Sequence, residues 1–182
     1  MDYSFGSFKK NAIIRFLGLE TYNYLKENLY KCDISKDKEY QTKFNAFYRV
    51  RRDEKWREIF YTYFEDIKNN KTITFDELVS YMYEKTGNIE ASFCSKLLST
   101  INPNMPIWDQ YVLANLGLKV EGNTKEEKLK NTVIIYNKIL ETENSKLKLP
   151  EIQQSIKDFK EYFAEYKLSD IKILDYLLWN SR

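Results

Sequence analysis

Thr74 to Leu116 reads TFDELVSYMYEKTGNIEASFCSKLLSTINPNMPIWDQYVLANL. Thr74 and Glu77 have the spacing of a capping box, in which each side chain satisfies the other's backbone N–H, so a helix opens at Phe75. It runs to about Lys85 with Leu78, Val79 and Met82 turned inward, and Gly87-Asn88 then breaks the chain. A second helix follows from about Glu90 to Thr100. Asn102-Pro103-Asn104-Met105-Pro106 is the one segment with two prolines. Pro106 suits the first turn of a helix, where a missing N–H costs nothing, so the helix restarts over Ile107 to Leu116 and ends at Gly117.

Helical spacing continues on both sides. From Phe8 to about Tyr30 the set Ile13, Phe16, Leu17, Tyr24, Leu25 and Leu29 keeps one face. Asp37 to Arg52 forms another stretch through Phe44, Phe47 and Tyr48. Trp56, Ile59, Phe60, Tyr63, Phe64 and Ile67 form a third, which stops at Asn69-Asn70. Thr124 with Glu127 repeats the capping box ahead of a helix from Leu129 to about Glu141. Pro150 opens a stretch to about Tyr166, and Ser169 or Asp170 caps a last one reaching Trp179. The expected fold is one all-α domain over residues 1–182, with seven to nine helices. Leu118 to Glu126, with Gly122 and Asn123, is the best-placed joint between two lobes.

Composition narrows the chemistry. Histidine is absent from the 182 residues, which excludes His-based triads, Cys-His proteases and imidazole acid-base work. Cys32 and Cys94 form no CxxC pair, so no metal site is expected, and both read as inert core residues. Only 5 glycines and 3 prolines occur, which disfavours a β-sandwich or a Gly-rich phosphate loop, and no pattern calls for a cofactor. The net charge of +2 is too balanced to name a partner by itself. No apolar run approaches the roughly 18 residues needed to cross a bilayer. MDYSFGSFKK lacks the layout of a signal peptide, so a soluble, cytoplasmic chain without a membrane partner is expected.

Two constellations carry possible chemistry. Asp109, three residues after Pro106, falls at the start of a helix, where the positive end of the macrodipole favours a carboxylate suited to stabilising a cation or orienting water. The same position equally fits an acid that only offsets unpaired N–H groups. Lys43 to Arg57, KFNAFYRVRRDEKWR, holds six basic residues against two acids. Arg49, Arg52 and Lys55 or Trp56 share a stripe if this run is helical, and basic charge among aromatics is how single-stranded nucleic acid is gripped. A solvated helix face with pairs such as Asp53 to Arg57 is the plainer alternative.

The order "turn, helix ending in Leu97-Leu98, proline loop, Pro106-Ile107-Trp108-Asp109, helix" resembles the core of the helix-hairpin-helix DNA glycosylase superfamily over about residues 74–117. It also resembles bacterial proteins of unassigned function that carry a similar Pro-Ile-Trp-Asp stretch. The glycosylase resemblance places the hairpin turn on Thr86-Gly87-Asn88-Ile89-Glu90, with Asn88 and Glu90 where that family has glycines. It makes Asp109 the candidate catalytic acid, and Ser92 stands where bifunctional members carry a Schiff-base lysine. Implied is a two-lobed helical hydrolase that binds DNA rather than RNA and releases a flipped base with an Asp-activated water. Trp108 and Tyr111 are the candidate base-stacking residues. Arg49, Arg51, Arg52, Arg57, Lys96 and Asn88 are the candidate nucleic-acid contacts. The alternative is a non-catalytic helical module for a protein partner, or a glycosylase-like fold that has lost its chemistry.

Overall fold

The computed structural model describes residues 4–7 and 18–180. It is all-α: no strand occurs among the described residues. In chain order the helices are α1 (Gly18–Asn28), α2 (Lys38–Tyr48), α3 (Glu54–Ile67), α4 (Phe75–Thr86), α5 (Ala91–Ile101), α6 (Gln110–Asn115), α7 (Lys125–Lys146), α8 (Pro150–Tyr162) and α9 (Asp170–Asn180). The chain divides into two compact units, residues 17–102 and residues 103–182 joined by 1–16. The boundary falls between Asn102 and Pro103, and 118–126 lies inside the second unit. The expected inward positions Ile13, Phe16 and Leu17 lie outside the described residues.

The first unit is built from α1 to α5, with α1 against α2, α3 against α4, and α4 and α5 paired as a hairpin. Its core is aromatic: Phe44 is fully buried, and its ring centroid lies 5.8 Å from Phe60, 5.9 Å from Tyr61 and 5.6 Å from Phe64. Such edge and tilted arrangements suit the ring quadrupole and add to the area buried. Leu78, Val79 and Met82 of α4 are buried, as are Cys94, Leu97 and Leu98 of α5. The hairpin turns at Gly87, whose φ of 70° lies in the left-handed region that glycine adopts without a Cβ clash.

In the second unit α9 packs against both α7 and α8. Ile135, Tyr136 and Ile139 of α7 and Ile171, Ile173, Leu174 and Leu177 of α9 are buried. Gly122 has a φ of 147°, and a Cβ there would stand 2.9 Å from the Lys128 backbone nitrogen, so the approach to α7 has no room for a side chain.

Four helices differ from expectation in a boundary. α7 runs to Lys146, five residues past Glu141. α2 stops at Tyr48, because Arg49 turns left-handed with φ 54°, so the basic run crosses a loop instead of forming one helical stripe. α6 begins at Gln110, not Ile107, since the chain from Pro106 is tied to α7: the Tyr136 hydroxyl donates to the Pro106 carbonyl at 2.8 Å. α8 ends at Tyr162, four residues short of Tyr166. Cys94 is buried as expected, whereas Cys32 is only partly buried, with its thiol pushed up to about 11 chiefly by burial.

Candidate nucleic-acid interface and candidate catalytic acid

The loop between α2 and α3 is held by its own residues. The backbone N–H groups of Arg49 and Val50 both donate to the Asn45 carbonyl, and Val50 is buried as a plug. Asp53 caps α3 by accepting from the Trp56 N–H at 2.8 Å. Arg57 reaches back to the Arg52 carbonyl through Nε at 2.7 Å. This tethering fixes a turn from which Arg49, Arg51 and Arg52 project, with Lys55 in the first turn of α3.

The cations divide by occupation. Arg52 donates to Glu90 at 2.8 Å and lies 5.3 Å from the Phe93 ring centroid. Lys96 donates to the Tyr48 carbonyl at 3.2 Å, one of the last carbonyls of α2, and sits 5.2 Å from the Phe93 centroid on its other side chain contact. Arg49, Arg51 and Lys55 are exposed, with no ion pair or side-chain hydrogen bond among the described residues. Asn88 is exposed at the hairpin turn, where its N–H and Nδ2 both bond to Thr86 at 3.2 Å.

The resemblance places Glu90 at a turn position where the family has a glycine. Glu90 is 3% exposed, with one carboxylate oxygen accepting from Trp56 Nε1 at 3.0 Å and the other from Arg52. The acid thereby ties the hairpin turn to α3 and satisfies an indole N–H that burial would otherwise leave without a partner. The partners lie 34 and 38 residues away, and no local spacing marks them.

The second unit holds Asp109, Trp108 and Tyr111. Asp109 is partly buried and caps α6, accepting from the Tyr111 N–H at 2.8 Å through Oδ1. Trp108 is 8% exposed and Tyr111 42% exposed. The candidate acid and the candidate phosphate contacts therefore belong to different units.

Behind Asp109 lies a buried ionic cluster that sequence reasoning missed. Asp175 of α9 has its carboxyl pushed up to about 6, chiefly by burial. Nearby Lys172 and the Ile107 N–H pull it down, and the Asp109 charge pushes it up. Lys172 stands 3.8 Å from Asp175 Oδ2 and is itself buried. Glu143 of α7 is 1% exposed, and neither of its oxygens has a hydrogen-bond partner among the described residues. Burial, and secondarily Asp175, hold Glu143 well above the usual carboxylate range. The signal in DIKILDYLLWN was that apolar residues occupy almost all sides of the helix, which marks a buried helix and leaves Lys172 and Asp175 inside.

Among the described residues no group of acids and cysteines is arranged to hold a metal ion, and no helix is long and apolar enough to cross a membrane. Compared with known proteins, the chain matches no family model, no curated protein and no solved structure.

Proposed function

We propose that the chain is a helical nucleic-acid-binding module whose first unit grips phosphates through Arg49, Arg51 and Lys55. The observation that carries this reading is the exposure of three cations without protein partners, Arg49 and Arg51 on a tethered loop and Lys55 at the start of α3. The tethered backbone limits the loop entropy lost on meeting phosphate, the three side chains have no internal ion pair to break first, and each contact releases condensed counterions. Arg52, Arg57 and Lys96 support the turn from within, through Glu90, the Arg52 carbonyl and the Tyr48 carbonyl.

The test is fluorescence anisotropy with labelled single-stranded and duplex DNA and with RNA between about 50 and 200 mM salt. Affinity should fall with a log-log slope of roughly 0.9 per phosphate neutralised on duplex DNA. Arg49→Ala, Arg51→Ala and Lys55→Ala should each lower that slope by about one contact and weaken binding regardless of base sequence. Absence of binding to every nucleic acid at low salt removes the reading and leaves the protein-partner alternative.

Hydrolysis of an N-glycosidic bond at Asp109 is the second reading. It is favoured by one observation: the cap bond engages Oδ1, and the other oxygen carries no hydrogen bond among the described residues. A carboxylate used this way can still orient a water toward an oxocarbenium-like centre. Release of damaged bases from an oligonucleotide panel, abolished by Asp109→Asn, is the result that supports it; release that survives the substitution removes Asp109 from the chemistry.

A further inference from the structure

The buried cluster in the second unit joins three parts of the chain. α7 contributes Glu143 and Tyr136, α9 contributes Lys172 and Asp175, and the segment before α6 contributes Pro106 and Ile107. Tyr136 donates to the Pro106 carbonyl, and the Ile107 N–H lowers the value of Asp175. The other ionisable groups facing the cluster are Lys146 on α7 and Asp109 ahead of α6. Two carboxyls and one ammonium cannot all be charged inside a protein without leaving one negative charge uncompensated, and burying such a charge is costly.

We propose that Glu143, Lys172 and Asp175 form a proton-operated latch that fastens α9 and the segment 106–109 to α7, shut while the two acids hold a proton and loosened as they lose it. With a proton on Glu143, Asp175 and Lys172 form a compensated pair and the cluster is neutral. Once that proton leaves, Glu143 is a buried anion with no hydrogen-bond donor among the described residues. The sign follows from linkage. An acid that holds its proton more tightly folded than unfolded contributes stability that is full below its unfolded value and is lost as pH rises through its folded value. For Asp175 this window runs from its ordinary 3.8 to about 6, and for Glu143 it opens at the ordinary 4.5 and extends upward. Lys172 acts with the opposite sign, because burial lowers its value and favours the neutral amine.

Amide hydrogen exchange on the full chain tests the latch, with rates at pH 5.5 and 7.5 converted to protection factors so that the intrinsic pH dependence of exchange is removed. Protection of α9 should fall by about tenfold or more between the two pH values, the effect of losing one linked proton over about one pH unit. Glu143→Gln, which keeps the shape but cannot ionise, should make that fall smaller and leave only the part linked to Asp175, and α1 to α5 serve as the internal control. Equal protection of wild-type α9 at both pH values overturns the proposal, as does an unchanged fall in Glu143→Gln. Infrared spectroscopy of the wild type gives a second readout that needs no variant to fold. A neutral carboxyl C=O band in the folded protein at pH 6.5, lost on unfolding, is expected, and its absence overturns the latch.

Discussion

Glu90 sits at the N-terminal end of α5 but makes no side-chain cap bond there; its carboxylate serves α3 and the preceding loop instead. Removing it leaves the Trp56 indole N–H buried without an acceptor and frees Arg52, whose side chain is 43% exposed and can turn to water. Glu90→Ala should therefore cost about 3 kcal/mol, the low end for breaking a buried charge pair, since one partner is recoverable by solvent. Glu90→Gln keeps an acceptor for Trp56 and should cost about 1–2 kcal/mol. Urea unfolding followed by helical circular dichroism measures both; wild-type stability of Glu90→Gln would show that charge has no part in the interaction, and a loss equal to that of Glu90→Ala would show that a neutral acceptor for Trp56 contributes nothing. A sequence registers that an acid stands before a helix; it does not register that Trp56 and Arg52 are brought to it from another helix and loop.

At the scale of elements, local signals were sufficient where the deciding contacts are local. Both capping boxes form as their spacing predicts: Thr74 with Glu77 at α4, and Thr124 with Glu127 at α7, where Glu127 N–H donates to Thr124 Oγ1 at 3.1 Å. Thr124→Ala should destabilise the protein by about 1 kcal/mol, the usual worth of an N-cap hydroxyl, with exchange protection lost first at the start of α7. Thr124→Ser keeps the acceptor and should recover most of that loss, an outcome that separates capping from packing of the methyl group. The start of α6 was not legible for the converse reason. Pro106 is compatible with a first helical turn, but a hydroxyl 30 residues away holds its carbonyl. The basic run fails as a helical stripe in the same way, because buried Val50 and the left-handed Arg49 end α2 inside it. Its candidate cations were visible as residue types, whereas their division into free and occupied groups depends on Glu90 and Tyr48.

At the scale of the whole molecule, the missing histidine acquires a physical consequence. Without histidine no side chain titrates by its ordinary value between about pH 5 and 7.5, so stability across that window should be almost flat unless buried groups are shifted into it. Asp175 and Glu143 are shifted upward, and the folded protein then holds protons that the unfolded chain has already lost. By the linkage relation, unfolding free energy should decline as pH rises from 5 to 7.5, by about 1 kcal/mol for a single acid displaced to about 6 and by more when Glu143 is included. The exposed, hydrogen-bonded acids Asp33 and Glu77 have lowered values, so their contributions are lost only at more acidic pH and do not enter this window. The double substitution Glu143→Gln with Asp175→Asn leaves Lys172 as the one titratable group of the trio, and its lowered value makes stability rise, not fall, with pH. Urea titrations at pH 5, 6, 7 and 7.5 should thus show a falling profile in the wild type and a flat or rising one in the double variant. A falling profile that persists in the double variant would place the linked protons elsewhere and remove the pH sensitivity from α7 and α9.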